Sequence, residues 1–353
     1  MIEDDLRAAF ARHEPLTPPT GPLRATIERL VARRRRRRRR FRAAGVTLCL
    51  VAALGAGVPQ LRPERAVEVP SLSGLPADSP NGSLNVLLLG VDGLGGAPPY
   101  RLADSILLVH IPADRSRPYL ISLPRDLEVS IPGRGTDKLN AAFFTGAGEP
   151  RPDLDAGYDL TRRVVADLIG VPVDAGAVLT FAGLRRITEA VDGVDVCLPD
   201  EVRSWHTRRV FPAGCQRLDG AASVDLLRQR RDLPAGALDR DRNAQRYVAG
   251  LIRRAAERDV LTNPVTLAAL LSAAGRELTV DDEGLSLGRL VAVLPTLRSV
   301  DPVGLSLPVG APAEGPSRLP LDPKDGPAFL AALREDRLAQ WAAQHPEQVN
   351  RIR

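Results

Sequence analysis

The sequence predicts a three-layer α/β/α domain with a central mixed sheet, preceded by one transmembrane helix. Short apolar strands alternate with helical segments from about residue 84 onward, which is the pattern of α/β proteins. The first strands are apolar on both faces, which indicates that helices cover the sheet on each side. An apolar segment also follows a long arginine run, as in a membrane anchor.

The positive charge of the chain is concentrated at its N-terminus. The net charge is +5, but residues 1–42 alone hold 13 arginines against 5 acidic residues, and eight of these arginines are consecutive, at Arg33–Arg40. Such a run binds phosphates of any kind, so affinity for nucleic acid is one interpretation. The apolar segment directly after it favours a start-transfer signal instead. We therefore expect residues 1–40 to form a cytoplasmic tail, with no nucleic-acid partner.

The predicted membrane anchor spans residues 41–61. Its apolar core, Ala43–Val58, has 16 residues, which gives about 24 Å of helix against a hydrocarbon core of about 30 Å. Snorkelling by Arg42 and inclusion of Pro59–Leu61 cover much of the difference. A cleaved signal peptide ending near Gly55–Gly57 is the alternative, although its n-region would be unusually long. An uncleaved anchor makes this a single-pass protein of the cell membrane, in contact with lipid, with a cytoplasmic N-terminus and an extracytoplasmic domain.

Residues 62–83 predict an extended linker, because proline, glycine and serine recur there. Residues 84–353 form the predicted domain. Its predicted strands are Asn85–Gly90, Ser105–Ile111, Tyr119–Ser122, Val194–Cys197 and Val303–Leu307. Its predicted helices are Thr161–Ile169, Phe181–Val191, Asp219–Arg230, Arg242–Ala256, Pro264–Ala274, Leu287–Leu297 and a last helix from Pro327.

Two of the three cysteines are candidates for a disulfide. Cys49 lies inside the predicted anchor, whereas Cys197 and Cys215 fall beyond it, in a compartment where disulfides persist. Closing this loop would contribute about 3 kcal/mol in the chain-entropy model. Two buried free thiols are the alternative. Neither cysteine has the nearby histidine or third sulfur that a zinc site needs.

Short polar motifs interrupt the apolar runs of the domain. Asp92 follows the first strand and Asp104 begins the second, so the two carboxylates can approach across neighbouring strands and share one Mg²⁺ or Mn²⁺ ion. Two carboxylates beside several cations are what binding a polyanionic phosphoester requires. The other motifs are Arg101, Arg125 with Asp126, Lys138 with Asn140, Arg228 with Arg230, and Arg240 with Gln245.

Each motif alone also has an ordinary structural explanation. Asp92 could be a turn residue, and Arg125 could form a surface salt bridge with Asp126. Arg228 and Arg230 could end a solvated helix, where the helix dipole favours cations. On a helix their side chains would point about 200° apart, so they face one ligand only if the helix has ended and the backbone is extended.

The order, wording and spacing of these motifs from Asn85 to Ile252 resemble the LytR-CpsA-Psr family, and the VDVCLP and PAGCQ segments resemble its actinobacterial members. Proteins of this family are membrane-anchored enzymes that move glycopolymers from a polyprenyl-pyrophosphate carrier onto a sugar hydroxyl of bacterial peptidoglycan. The resemblance implies a Mg²⁺-assisted phosphotransferase that releases polyprenyl phosphate, with a pyrophosphatase side activity. Its implied partners are a polyprenyl-pyrophosphate-linked glycan and peptidoglycan.

The resemblance also implies a role for each motif. Asp92 and Asp104 would be the metal ligands and, with three of the arginines, the catalytic group. Those three are Arg125, Arg228 and Arg230, and the implied pyrophosphate contacts are Arg101, Arg125, Lys138, Arg228, Arg230, Arg240 and Gln245. Two motifs depart from the family pattern: one additional residue separates Arg101 from Asp104, and Asn243 and Ala244 replace the middle of the last motif. A β-bulge could absorb the first difference.

Two other functions stay open at this point. The domain could bind polyprenyl phosphates without turnover, or it could be a membrane-bound envelope regulator that acts through its arginine-rich tail. The motifs contain no evident general base. The four histidines, His13, His110, His206 and His345, are scattered without ligand spacing.

Overall fold

The computed structural model describes residues 82–91, 102–148, 153–260, 262–281, 301–311, 318–350 and 352. All of them belong to one compact unit, Leu72–Arg353. The predicted tail, the predicted anchor and the predicted helix Leu287–Leu297 lie outside the described residues. Within the described ranges, no helix has the length and apolarity needed to cross a membrane.

Seven strands form the central sheet. They are β1 (Leu84–Val91), β2 (Ala103–Ile111), β3 (Tyr119–Ser122), β6 (Ala175–Thr180), β11 (Leu278–Asp281), β12 (Val303–Ser306) and β13 (Val349–Asn350). Their order across the sheet is β11-β6-β1-β2-β3-β12-β13. β1 pairs with β6 and β3 with β12 in parallel, and the other pairs are antiparallel. The predicted mixed sheet is therefore confirmed.

Three two-stranded ribbons accompany this sheet. They are β4 (Glu128–Ile131) with β5 (Gly135–Lys138), β7 (Val194–Leu198) with β10 (Gly214–Leu218), and β8 (Val202–Arg203) with β9 (Val210–Phe211). The described helices are α1 (Leu139–Ala147), α2 (Leu154–Ile169), α3 (Phe181–Ala190), α4 (Gly220–Arg228), α5 (Ala237–Glu257), α6 (Pro264–Ala274), α7 (Asp325–Arg334) and α8 (Leu338–Gln344).

Alternate residues of β1 pack into hydrophobic clusters on opposite faces of the sheet, because successive side chains of a strand point to opposite faces. Leu87 and Leu89 are buried in a cluster with side chains of α1, α2, α7 and α8. Leu84 and Leu88 pack on the other side of the sheet with Ala249 of α5. Since helices cover both faces, the predicted three-layer arrangement is confirmed. A third cluster joins β7 and β10 to α3, α4 and α5.

Side-chain caps and an early helix end shape the segments that reach the functional site. Thr180 accepts a hydrogen bond from the amide of Gly183 at the start of α3, and Asp219 caps α4 in the same way. The sequence predicted that this helix would continue to Arg230. In the structure it ends at Arg228, because Gln229 has an extended backbone with φ −68° and ψ 129°.

Helix α5 lies so close to β7 that position 250 requires glycine. A Cβ added to Gly250 would lie 2.2 Å from the carbonyl oxygen of Asp195 and 2.9 Å from the side chain of Val194. Since the nearer atom is backbone, no side-chain rotation can relieve this contact. The contact fixes α5, whose first turn carries Arg240, against the β7–β10 ribbon.

Candidate functional site

A cavity of about 330 Å³ opens where the start of β2, the turn after β3, the start of α3, the β8–β9 loop, the end of α4 and the start of α5 meet. It brings together five predicted site residues that are far apart in the sequence: Asp104, Arg125, Arg228, Arg230 and Arg240. The rest of its wall consists of Phe181, Trp205, His206, Leu227, Gln229 and Arg231.

Asp104 reaches the cavity from a β-bulge. Gly90 pairs with Ser105 and the next residue, Val91, pairs with Ala103, so Asp104 is the extra residue of β2. Its carboxylate forms a salt bridge with Arg125, which lies in the turn after β3. Burial alone would lower the pKa of Arg125, but Asp104 and Asp126 outweigh it and raise that pKa. Arg125 therefore stays charged at the cavity wall.

Lys138 lies behind this pair, outside the cavity lining. Its ammonium is 2.9 Å from Asp126 Oδ1, and Asp126 Oδ2 is 3.5 Å from Arg125 Nε. Asp126 thus links two of the predicted phosphate contacts. The amide of Asn140 also donates to the carbonyl of Arg125, at 3.0 Å, which ties the start of α1 to the Arg125 turn.

Arg228 and Arg230 share one side of an extended segment. Because α4 ends at Arg228 and Gln229 has an extended backbone, both arginines reach the same cavity, which they line together. The side chain of Gln229 between them is fully buried. Neither arginine makes a salt bridge with a described carboxylate, and Arg228 lies 5.4 Å from the ring centroid of Phe181.

A buried polar network holds the loop Ser204–Arg209 against the end of α4. The hydroxyls of Ser204 and Thr207 donate to the two carboxylate oxygens of Asp225. The amide nitrogen of Gln229 donates to Ser204 Oγ at 3.0 Å, and its oxygen accepts from the backbone amide of Trp205 at 2.8 Å. This network fixes the loop residues that form one wall of the cavity.

Trp205 and the arginines beside it form the rim of this wall. The indole is 43% exposed, which is unusual for a large apolar side chain among the described residues. The guanidinium of Arg231 lies 4.9 Å from the ring centroid and that of Arg208 lies 5.3 Å away, within the range of cation–π attraction. The rim is therefore cationic as well as aromatic.

Arg240 is buried at the floor of the cavity with a carboxylate partner. Its guanidinium donates to Asp241 Oδ1 at 2.9 Å, and both residues are largely buried. Burial raises the pKa of Asp241 to about 6, although Arg240 and Arg125 both act to lower it. The cavity lined by Arg228 and Arg230 therefore also has a buried ion pair at its wall.

Gln245 lies below the site, between α5 and the sheet, and does not line the cavity. Its amide nitrogen donates to the carbonyls of Leu120 and Leu305, at 3.0 and 2.6 Å, and to Ser122 Oγ at 2.7 Å. Asn350 donates to its oxygen at 2.8 Å. These bonds tie α5 to β3, β12 and β13, so Gln245 contacts protein atoms where a phosphate contact had been expected.

Two predicted site residues, Asp92 and Arg101, lie outside the described residues. Within the described ranges, no group of three histidine, cysteine, aspartate or glutamate side chains is placed to hold a metal ion. Asp104 is the one expected metal ligand that the structure describes. Its side chain is 26% exposed at the cavity wall, so its chemistry and position fit a divalent cation.

The predicted disulfide between Cys197 and Cys215 is confirmed. The two cysteines lie directly opposite each other on β7 and β10, with a Cα–Cα distance of 3.8 Å. The bond closes the ribbon that carries the β8–β9 loop at its far end. It therefore ties down the base of the segment that forms the Trp205 wall.

Sequence reasoning missed the wall residues His206 and Trp205. Both follow a proline-containing turn after the cysteine strand, in a segment with no helical or strand periodicity. The adjacent Trp-His pair within the arginine-rich RSWHTRR segment was the available signal, because an aromatic residue amid arginines is typical of a binding surface.

Comparisons with known proteins identify the family of this chain. Residues 60–300 match the model of the LytR_cpsA_psr family. The chain is 33% identical over 195 residues to cell wall biosynthesis protein LcpA of Corynebacterium glutamicum, covering 51% of this chain and 38% of LcpA. It is 28% identical over 181 residues to polyisoprenyl-teichoic acid–peptidoglycan teichoic acid transferase TagU of Oceanobacillus iheyensis, covering 51% of this chain and 54% of TagU.

A solved structure has the same fold. Bacillus subtilis TagV matches with a TM-score of 0.56 and 18% sequence identity, over 73% of this chain and 98% of TagV. The alignments with LcpA and TagU span about two fifths and about half of those proteins. The family model, by contrast, matches more than half of this chain. The sequence motifs, the mixed sheet and the family match together show that this chain belongs to the LytR_cpsA_psr family.

Proposed function

We propose that the protein is a phosphotransferase that moves a glycopolymer from a polyprenyl-pyrophosphate carrier to a sugar hydroxyl of peptidoglycan. The observation that carries the proposal is the meeting of Arg125, Arg228, Arg230 and Arg240 with Asp104 at one cavity. The name of TagU, a teichoic acid transferase acting on peptidoglycan, supports glycopolymer transfer.

The charges of the cavity suit a pyrophosphate. A pyrophosphate diester carries about two negative charges, which charge-assisted hydrogen bonds from arginine can match. Arg125 and Arg240 each have a carboxylate partner, whereas Arg228 and Arg230 have none among the described residues. The guanidiniums of Arg228 and Arg230 are therefore available to bind the phosphates. Arg125 and Arg240 orient the bound phosphates.

The transfer itself breaks one phosphorus–oxygen bond and forms another. The acceptor hydroxyl attacks the glycan-side phosphorus, and polyprenyl phosphate leaves with the bridging oxygen. Negative charge builds up on the phosphoryl and bridging oxygens, where the arginines neutralise it. In phosphoryl transfer, most of the catalysis comes from holding donor and acceptor in fixed positions and from neutralising this charge.

A divalent cation, Mg²⁺ or Mn²⁺, would be held by Asp104 and Asp92. When bound, it would neutralise phosphate charge and polarise the reacting phosphorus. The domain would act outside the cytoplasm, held at the membrane by the segment at residues 41–61, because its lipid-linked donor resides in the membrane.

Turnover of a defined donor tests the proposal. The purified protein is incubated with Mg²⁺, a synthetic farnesyl-pyrophosphoryl disaccharide and a peptidoglycan oligosaccharide, and both the lipid phosphate and the coupled glycan are quantified. We expect transfer by the wild type and its loss in Asp104→Ala, with the same fold by circular dichroism. Release of lipid phosphate without acceptor would reveal a pyrophosphatase side activity. Donor binding with no turnover at all would contradict the transferase and indicate a binding protein.

A further inference from the structure

The proposed transfer requires a group that accepts the proton of the acceptor hydroxyl. The arginines of the cavity wall cannot do so, because a guanidinium stays protonated and has no acceptor atom. Asp104 has its carboxylate engaged with Arg125. Asp241 is buried beneath the floor and bonded to Arg240, out of reach of an acceptor that enters from solvent.

His206 is the remaining side chain of the described cavity wall with a nitrogen atom that can accept a proton. It is exposed to solvent, so an acceptor that enters the cavity from solvent can reach it. Among the described residues, no hydrogen bond or ion pair engages its imidazole. The ring is thus free to act on a ligand rather than being committed to holding the fold together.

The position of His206 is fixed although its ring is free. Its backbone amide donates to Ser204 Oγ at 3.1 Å, and the neighbouring amide of Thr207 donates to the same oxygen at 3.0 Å. Ser204 Oγ in turn donates to buried Asp225. With the bond from the Gln229 side chain, four hydrogen bonds on one buried hydroxyl define the turn of the loop, which is the support that a residue needs to act repeatedly in one geometry.

The surroundings of His206 are strongly cationic. The other charged residues that line the cavity are Asp104, Arg125, Arg228, Arg230, Arg231 and Arg240, and Arg208 and Arg209 follow His206 on the loop. The buried carboxylate of Asp225 lies against the same loop, where it accepts from Ser204 and Thr207. Charge-assisted hydrogen bonds from these arginines can hold the phosphates of a donor at the wall that carries His206.

We propose that His206 is the general base of the transfer. The acceptor hydroxyl gives its proton to the imidazole while its oxygen forms the new bond to the glycan-side phosphorus. The bond from that phosphorus to the bridging oxygen breaks, and polyprenyl phosphate leaves with the electron pair. The imidazolium then releases its proton to solvent. Ser204 and Asp225 are positioning residues that hold the loop.

This inference rests on the proposed function, and chemical rescue separates the two. His206→Gln keeps a polar side chain but removes the base, and His206→Ala leaves space for imidazole added to the solution. The matched control is His345→Gln, since His345 stacks on Trp341 at 4.3 Å and does not line the cavity. All three variants and the wild type are assayed with the farnesyl-pyrophosphoryl disaccharide and the peptidoglycan oligosaccharide.

We expect kcat to fall by about 100-fold or more in both His206 variants, because a general base typically supplies that factor. The dissociation constant of the donor should stay within about twofold of the wild type, because a general base acts on the acceptor hydroxyl and does not bind the donor. Added imidazole should restore much of the rate in His206→Ala and none in His206→Gln, and the decline of the rate at acidic pH should disappear in both variants.

Each other outcome has one meaning. Wild-type rates in both variants would overturn the general base while leaving the transferase intact. Loss of both activity and donor binding, with no rescue by imidazole, would assign His206 a structural role and would also overturn the general base. Absence of transfer by the wild type would overturn the proposed function and this inference with it.

Discussion

Gln229 orients two arginines that it does not contact. Its amide is committed to Ser204 and Trp205, so the residue must point into the protein, and the extended backbone then turns both neighbours outward. The residue between the two arginines of the motif thus decides where they point. A change at any of the three positions should affect phosphate binding, but for different reasons.

Removing either exposed arginine should weaken binding directly. Arg228→Gln and Arg230→Gln should each cost about 1.5 to 3 kcal/mol of charge-assisted interaction, or about 10- to 150-fold in affinity. Calorimetry with farnesyl pyrophosphate measures this loss. Arg209→Gln is the matched control, because Arg209 lies on the adjacent loop but not on the cavity wall. Equal losses in the control would show that only the general charge of this surface matters.

Removing Gln229 should weaken binding indirectly. Gln229→Ala leaves the amide of Trp205 and the hydroxyl of Ser204 without this partner, which should lower the free energy of unfolding by about 1 to 3 kcal/mol. We also expect weaker binding of farnesyl pyrophosphate, since the arginines lose their fixed direction. Gln216→Ala, which removes only a bond to the carbonyl of Pro212, serves as the control. Unchanged binding in Gln229→Ala would show that the backbone alone sets this direction.

Asp241 should make stability depend on pH in the acidic range. Its pKa is about 6 in the folded protein, above the ordinary value of 3.8, so between these values the folded state holds more protons than the unfolded state. The free energy of unfolding should therefore fall as pH rises from about 4 to about 6 and then level off. Urea denaturation across this range should show a smaller slope in Asp241→Asn, and an unchanged slope in Asp167→Asn, an exposed aspartate of α2.

At the scale of elements, the β7–β10 ribbon should depend on its disulfide. Before reduction, alkylation and intact-mass analysis should find Cys49 as the only free thiol, and three thiols should react after reduction and unfolding. Cys197→Ser with Cys215→Ser should lower the free energy of unfolding by about 3 kcal/mol. Labelling of Cys197 or Cys215 in the unreduced protein would contradict the pairing.

Strong apolar periodicity made many elements predictable. β3 and α6 have the predicted bounds, and β1 differs by one residue at each end. The sequence did not reveal β6, because its residues, AGAVLT, are mostly small and have weak strand propensity. Pairing with β1 and β11 on either side makes this segment a strand, which is a tertiary effect.

The candidate site was also predictable in part, from the short polar motifs. Motif wording located Asp104, Arg125, Arg228, Arg230 and Arg240, all of which line the cavity. His206 was missed because its place depends on the hydrogen bonds of Ser204 to Asp225 and Gln229, which no local pattern shows. Gln245 carried a motif position, yet its amide ties together three strands of the sheet, a role that only the folded structure reveals.

At the scale of the whole molecule, the segment at residues 41–61 should keep the protein at the membrane. The full chain should stay in the membrane pellet after washing with high salt and alkaline carbonate. A variant in which a cleavable export signal replaces residues 1–61 should be released. The mass of the mature wild-type protein checks the alternative, since a start just after Gly57 would show that the segment is a cleaved signal peptide.

The strand order also sets a sequence of events during synthesis. β3 is followed only much later in the sequence by its neighbour β12 and by the edge strand β13. Until Val303–Ser306 have emerged, one edge of β3 has unpaired backbone groups, and the amide of Gln245 lacks its bond to Leu305. Asn350, which donates to the oxygen of Gln245, follows later still. An exposed strand edge invites pairing with other chains. A nascent or truncated chain that stops before β12 should therefore be prone to pairing with other chains and to proteolysis. Helix α5 should gain its last bonds to the sheet only when β12 and β13 are in place.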